Sequence, residues 1–308
     1  MRRQSRMLRS KPLWAQGWML AMMSLWFLGC GRPADVGVAP GAGPAPGVVA
    51  RGNSAAALRL AAASDLQLAL PRLLERFQAR TGIATSPPVF QASGQLAEQI
   101  KQGAPFDVFL AANEAFVRDL AGGGFIRPES VHPYARGSLV LAVYHEVGDR
   151  VRTLADLSEP EVKKIALANP ATAPYGKAGQ QALERSGLWT RLESKIVLAE
   201  SVRQALLYAQ KGDAEAALVG RAIATVPGIR LVELDPGLYD PIVQALGIVA
   251  TTPRPADAEA FIRFILGEDG QAILKEFGFQ PVPTPAGNPH SGITGRPEDR
   301  HRAELGRR

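Results

Sequence analysis

A chain of 308 residues with 46% hydrophobic and 21% charged residues has room for about two folded domains, and this balance excludes wholesale disorder. Its single cysteine excludes an internal disulfide framework and any zinc site that needs two thiolates. The net charge of +6 sits in the two ends: residues 1–30 carry +5 and residues 284–308 carry +2, so the body between them, at −1, makes no electrostatic case for nucleic acid.

The first 30 residues predict an export signal. Arg2, Arg3, Arg6, Arg9 and Lys11 form a basic start, and an apolar stretch then runs over about 13–28, with Gln16 and Ser24 inside it. That stretch is short for a bilayer span of roughly 20 apolar residues, and it ends at a small residue before a cysteine. Phe27-Leu28-Gly29-Cys30 resembles a bacterial lipoprotein signal, with Phe27 where leucine is usual. The resemblance implies cleavage before Cys30 and lipidation of its thiol. An ordinary secretory signal or a signal anchor is the alternative. Residues 31–57 are rich in Gly, Pro and Ala and predict a flexible tether. Residues 284–308 are polar and basic and predict a disordered tail.

Between the ends, short apolar runs alternate with helical periodicity. Residues 58–63 predict a strand. Leu66, Ala69, Leu70, Leu73, Leu74 and Phe77 then recur at helical spacing up to Thr81-Gly82. Pro71 belongs in the first turn, which starts that helix near Gln67. A strand near 89–90, a helix over 95–102, a strand over 106–111 and a helix over 114–121 follow. Gly122-Gly123-Gly124 caps the last of these. Further strands are predicted over 138–144, 164–168, 196–199, 216–219 and 242–251, and further helices over 177–186, 202–210, 256–266 and 270–277. This alternation implies parallel βαβ units and an α/β fold.

The long apolar runs at 138–144 and 242–251 are spaced as strands crossing between two lobes. One lobe is then 58–137 with 247–283 and the other is 138–246, with a ligand cleft between them.

The informative positions are the strand-to-helix junctions. Ser64-Asp65, Ser93-Gly94, the stretch from Asn169 to Gly176 and Glu200-Ser201-Val202 each bring hydroxyls or free backbone N–H groups to a helix start. A helix N-terminus carries roughly half a positive charge and unpaired donors, which suits an oxyanion. Taken singly, each serine is explained as an N-cap; four converging junctions would hold a small dianion without Lys or Arg.

The ordered set AAASDL, FQASGQLAEQIKQGAPFDVFLAA, NPATAPYGKAGQQAL and AESVRQAL resembles the molybdate-binding component of bacterial ABC importers, over about residues 58–282. The resemblance implies a two-lobed type II periplasmic binding protein, and the signal ending at Cys30 predicts that it is membrane-anchored in the periplasm or at the cell surface. It implies a monomer that captures molybdate or tungstate, needs no cofactor, and passes the anion to a permease and its ATPase. Ser64 and Ser93 match the first-lobe hydroxyl and amide donors. Tyr175, after Pro174, and Val202 match backbone N–H donors. Two departures stand out. Gly220-Arg221 replaces a tyrosine found in many members, whose hydroxyl contact Tyr175 is placed to supply. Asp65 puts a carboxylate beside a dianion, so only its backbone is expected to approach the ligand. Arg221 is expected at the surface or in a salt bridge.

Enzymatic readings lack residues. His132 and His145 stand alone, His290 and His301 lie in the tail, and no GxSxG, P-loop or GxGxxG pattern occurs. Asp107 reads as a buried strand residue bonded to backbone. A binding protein for another tetrahedral oxyanion such as sulfate remains an alternative. So does an effector-sensing regulator, although residues 1–57 offer no helix-turn-helix.

Overall fold

The structure, a computed structural model, describes residues 57–282. The predicted signal, nearly all of the tether, the tail and Cys30 lie outside the described residues.

The first lobe opens with β1 (Leu60–Ala63), α1 (Ala69–Thr81), β2 (Val89–Gln91), α2 (Ser93–Lys101), β3 (Val108–Ala111), α3 (Glu114–Gly122) and β4 (His132–Gly137). The second holds β5 (Leu139–Tyr144), β6 (Ile165–Ala168), α4 (Pro174–Arg185), α5 (Trp189–Leu192), β7 (Ile196–Ala199), α6 (Val202–Gln210), β8 (Ala216–Gly220), α7 (Arg221–Ala224) and β9 (Ile229–Glu233). The chain then returns to the first lobe as β10 (Ile242–Ile248), α8 (Pro255–Leu266) and α9 (Glu268–Glu276).

Each lobe is built on one five-stranded sheet, ordered β2-β1-β3-β10-β4 and β7-β6-β8-β5-β9. In each, three parallel strands are extended by two more, joined through two successive antiparallel pairings. The parallel strands β1, β3, β6 and β8 are buried along their whole length because helices cover both faces of the sheet. That is why they read as unbroken apolar runs rather than as alternation.

Ser64–Leu66 forms a 3-10 turn before α1, and Pro71 falls in the first turn of the helix, where a missing N–H costs nothing. Gly82 ends the helix at φ 70°, donating to the Gln78 carbonyl. On the buried face of α1, Phe77 meets the rings of Phe261 and Phe264 on α8 at 5.2 and 5.5 Å. Truncating Phe77 to alanine would cost about 3–5 kcal/mol.

The lobe boundaries need two corrections. Strands β5 and β10 do not themselves span the lobes: β5 pairs only within the second sheet and β10 only within the first. The crossings are the Gly137–Ser138 link and the segment before Ile242. The first lobe therefore resumes at 242, not 247, because residues 242–246 already pair with β3 and β4. Strands β4 and β9 were not expected, since both carry charged residues and are only partly buried. Helices α2 and α4 begin two and three residues earlier than their periodicity indicates, at Ser93 and Pro174. Their first turns, Ser93-Gly94 and Pro174-Tyr175-Gly176, carry serine, proline and glycine in place of the apolar residues of the period, so it starts late.

Candidate functional site

Four junctions at the C-terminal ends of parallel strands meet between the lobes, the usual ligand position in open α/β sheets. Ser64 and Asp65 follow β1, and Ser93 opens α2 after β2. After β6, Asn169 folds the loop: its Oδ1 accepts the Ala171 N–H at 3.0 Å and its carbonyl accepts those of Thr172 and Ala173. This sets Pro174 and Tyr175 as the first residues of α4. After β7, the Ser201 hydroxyl oxygen accepts the Gln204 N–H at 3.3 Å, making Val202 the first residue of α6.

These junctions wall a small cavity lined by Ser64, Asp65, Ser93, Ala112, Tyr175 and Val202 among others. The structure thus brings together all four residues singled out from the sequence. The first turns of α2, α4 and α6 leave backbone N–H groups that no helical carbonyl can take. The lobes touch directly beside the cavity, where the Gly94 N–H donates to the Thr172 carbonyl at 2.9 Å. A Cβ on Gly94 would stand 3.0 Å from Thr172 backbone, so this approach needs glycine.

The two serines differ. Ser93 is fully buried, and its oxygen accepts the Ala112 N–H at 3.0 Å. Its own proton is left free for an acceptor in the cavity. The Ser64 hydroxyl has no hydrogen bond among the described residues and is committed to nothing but the cavity.

Behind the cavity lies a buried polar network that sequence reading missed. Gln244 sits where the β10–β4 register shifts, opposite Ala135 while Ala245 pairs with Pro133, which has no N–H to offer. The fully buried Gln244 side chain accepts from the Tyr134 hydroxyl at 2.6 Å. It donates to Asp65 Oδ2 and, at 3.2 Å, to the Tyr175 hydroxyl. Asp65 is 1% exposed. Burial pushes its carboxyl up to about 6, against the pull of hydrogen bonds from Gln244 and Tyr175. Burial and the Asp65 charge likewise raise the Tyr134 and Tyr175 hydroxyls well above the ordinary tyrosine value. Asp65 is among the residues that line the cavity, and its Oδ1 is buried without a hydrogen-bond partner.

Gly220 also acquires a reason. The Tyr175 ring packs on it so closely that a Cβ there would lie 2.9 Å from ring carbons, and one on Gly137 would collide with the phenol oxygen. Tyr175 therefore occupies the space over the end of β8, and no side chain fits at 220. Arg221 pairs with Glu233 at the surface. Lys177 is exposed, and its charge acts on Asp240. Asp107 is buried, accepting from the Arg59 N–H at 2.7 Å and the Thr252 hydroxyl at 2.7 Å, a structural role. Among the described residues, no group of three His, Cys, Asp or Glu side chains is placed to hold a metal ion, and no helix is long and apolar enough to cross a membrane.

Fold and cavity together define a two-lobed solute-binding protein, and comparison with known proteins agrees. Residues 58–280 match the family model described as bacterial extracellular solute-binding protein. The chain is 30% identical to Bacillus subtilis YvgL, named as a candidate ABC transporter substrate-binding lipoprotein, across 72% of this chain and 85% of that one. It is 31% identical to the molybdate-binding protein ModA of Rhodobacter capsulatus, across 66% and 80%. The solved periplasmic molybdate-binding protein of Azotobacter vinelandii superposes with a TM-score of 0.69 at 33% identity, covering 74% of this chain and all of that one. The chain belongs to the bacterial extracellular solute-binding proteins. It is a binding protein and not an enzyme, it acts outside the cytoplasm, and its partners are those of an ABC importer, a permease and an ATPase.

Proposed function

We propose that this protein captures molybdate, or tungstate, and delivers it to the permease of an ABC importer. The observation that carries this reading is the convergence of four helix-start junctions on one small cavity with no Lys or Arg in its wall. In this reading the Ser64 and Ser93 hydroxyls and the N–H groups of Tyr175 and Val202 donate to the oxygens of the anion. No residue binds its central atom, and no cofactor is required. Fixed donors and helix dipoles replace the hydration shell without a counter-charge that would hold the anion too tightly to release. The lobes touch beside the site, where the Gly94 N–H donates to the Thr172 carbonyl, and closing them further would seal it. We further propose that Cys30 carries a lipid that anchors a monomeric body to the membrane.

Calorimetric titration of the protein with molybdate, tungstate and sulfate tests the reading. Tight binding of molybdate or tungstate with weak binding of sulfate is expected, cavity size being what separates these tetrahedral dianions. Preferential binding of sulfate would replace the substrate.

A further inference from the structure

Asp65 is the residue the binding reading leaves over. A carboxylate close behind a dianion site works against the site, yet this one is nearly fully buried, and its two oxygens are treated differently. Oδ2 accepts from Gln244, whose amide is oriented by the Tyr134 hydroxyl on its other atom. Oδ1 is buried and has no partner in hydrogen-bond geometry. A buried carboxylate oxygen without a donor is costly, whereas a carboxylic acid O–H in that place is a donor awaiting an acceptor.

We propose that Asp65 is a fifth hydrogen-bond donor to the captured oxyanion, its carboxyl taking one proton from the surrounding water or buffer as the anion enters and presenting it from Oδ1. The proposal rests on the oxyanion reading above. No bond other than O–H is made: Asp65 carboxylate, one solvent proton and the dianion become a neutral acid bonded to the dianion. Burial favours this and outweighs the hydrogen bonds from Gln244, Tyr175 and the Asp65 and Leu66 backbone, which pull the carboxyl the other way. Tyr134 on β4, Tyr175 on α4 and Gln244 on β10 are neutral. Of the helices packed on residues 64–66, α7 carries Arg221, which is paired with Glu233, and α6 carries Arg203; neither is among the groups that shift the Asp65 carboxyl. Burial already lifts that carboxyl to about 6, and an incoming dianion pushes it further the same way.

The sign follows from linkage. Binding takes up a proton wherever the pH lies above the free carboxyl's midpoint and below that of the bound form. In that window the affinity falls up to about tenfold per pH unit as pH rises, and it is level below about 6.

The test is calorimetry on the full chain at pH 7.5, in buffers of different ionisation enthalpy, with molybdate as titrant. The expected result is uptake of about one proton per anion by the native protein and of none by Asp65→Asn, whose amide keeps the Gln244 bond and supplies the donor. Asp65→Asn should bind at least as tightly as the native protein, with an affinity level from pH 6.5 to 8.5. Molybdate binding by the native protein without proton uptake would overturn the proposal, as would uptake that persists in Asp65→Asn. Should that variant fail to fold, the native proton count decides alone. If sulfate binds and molybdate does not, the substrate reading falls and the proton count is taken with sulfate. If no tetrahedral oxyanion binds, both readings fall.

Discussion

Removing the Ser93 hydroxyl separates two roles that a single serine plays here. In Ser93→Ala the anion loses one hydrogen bond to a charged group, worth about 1.5–3 kcal/mol, so affinity should drop roughly ten- to a hundredfold. The Ala112 N–H also loses its partner, the serine oxygen at 3.0 Å, in a place where both residues are almost completely buried. An orphaned buried donor costs about 1–3 kcal/mol, which for a body of this size lowers Tm by roughly 2–12 °C in the absence of anion. Ser64→Ala has no such second cost, because its hydroxyl bonds no other described group. It should weaken binding over the same range while leaving the melting temperature of the free protein nearly unchanged. Calorimetric titration with molybdate and thermal melting of both variants read the two effects. A Ser93→Ala protein that binds like the native one would remove that hydroxyl from the site. A Ser64→Ala protein that melts as low as Ser93→Ala would show that the two serines are not distinguished in this way.

Three other outcomes are expected. Val202→Ala keeps the backbone N–H, and Lys177→Ala and Arg221→Ala remove charges held outside the cavity, so each should change affinity by only a few-fold; a larger loss in either cationic variant than in both serine variants would indicate a cationic pocket. The Asp65 carboxyl, raised from 3.8 to about 6 by burial, binds its proton more strongly in the folded state than in the unfolded one, so its contribution to stability is full below pH 4 and is lost between pH 4 and 6. Asp65→Asn should therefore melt higher than the native protein at pH 7.5, by up to about 3 kcal/mol in stability, and show little gain at pH 4; an equal gain at both pH values would assign it to packing instead. Cys30→Ala should leave the protein soluble or unprocessed with anion binding by the body intact, as read by membrane fractionation; a cleaved variant still held on the membrane would rule out the lipid anchor.

Much of this protein is local enough to be legible in its chain. Helix periodicity and turn residues placed β7 and α6 to the residue, because Ser201 caps a helix whose apolar spacing starts at once. The four junctions were legible too, since each is a short run whose backbone geometry and hydroxyl chemistry are set by neighbours in sequence. The tertiary structure alone decided how distant segments meet. Gln244 reaches Asp65 across 179 positions and Tyr134 across 110, through a shift of register opposite Pro133 that has no signature in the β10 run itself. The return to the first lobe at 242 was likewise settled by pairing with β3 and β4, since an apolar strand carries the same pattern in either sheet. Residue type and spacing therefore determined which groups are brought together around the cavity. Packing determined that Tyr175 takes the space over Gly220 and that the Asp65 carboxyl is buried beside the cavity, because burial, which no single segment possesses, raises its hold on a proton.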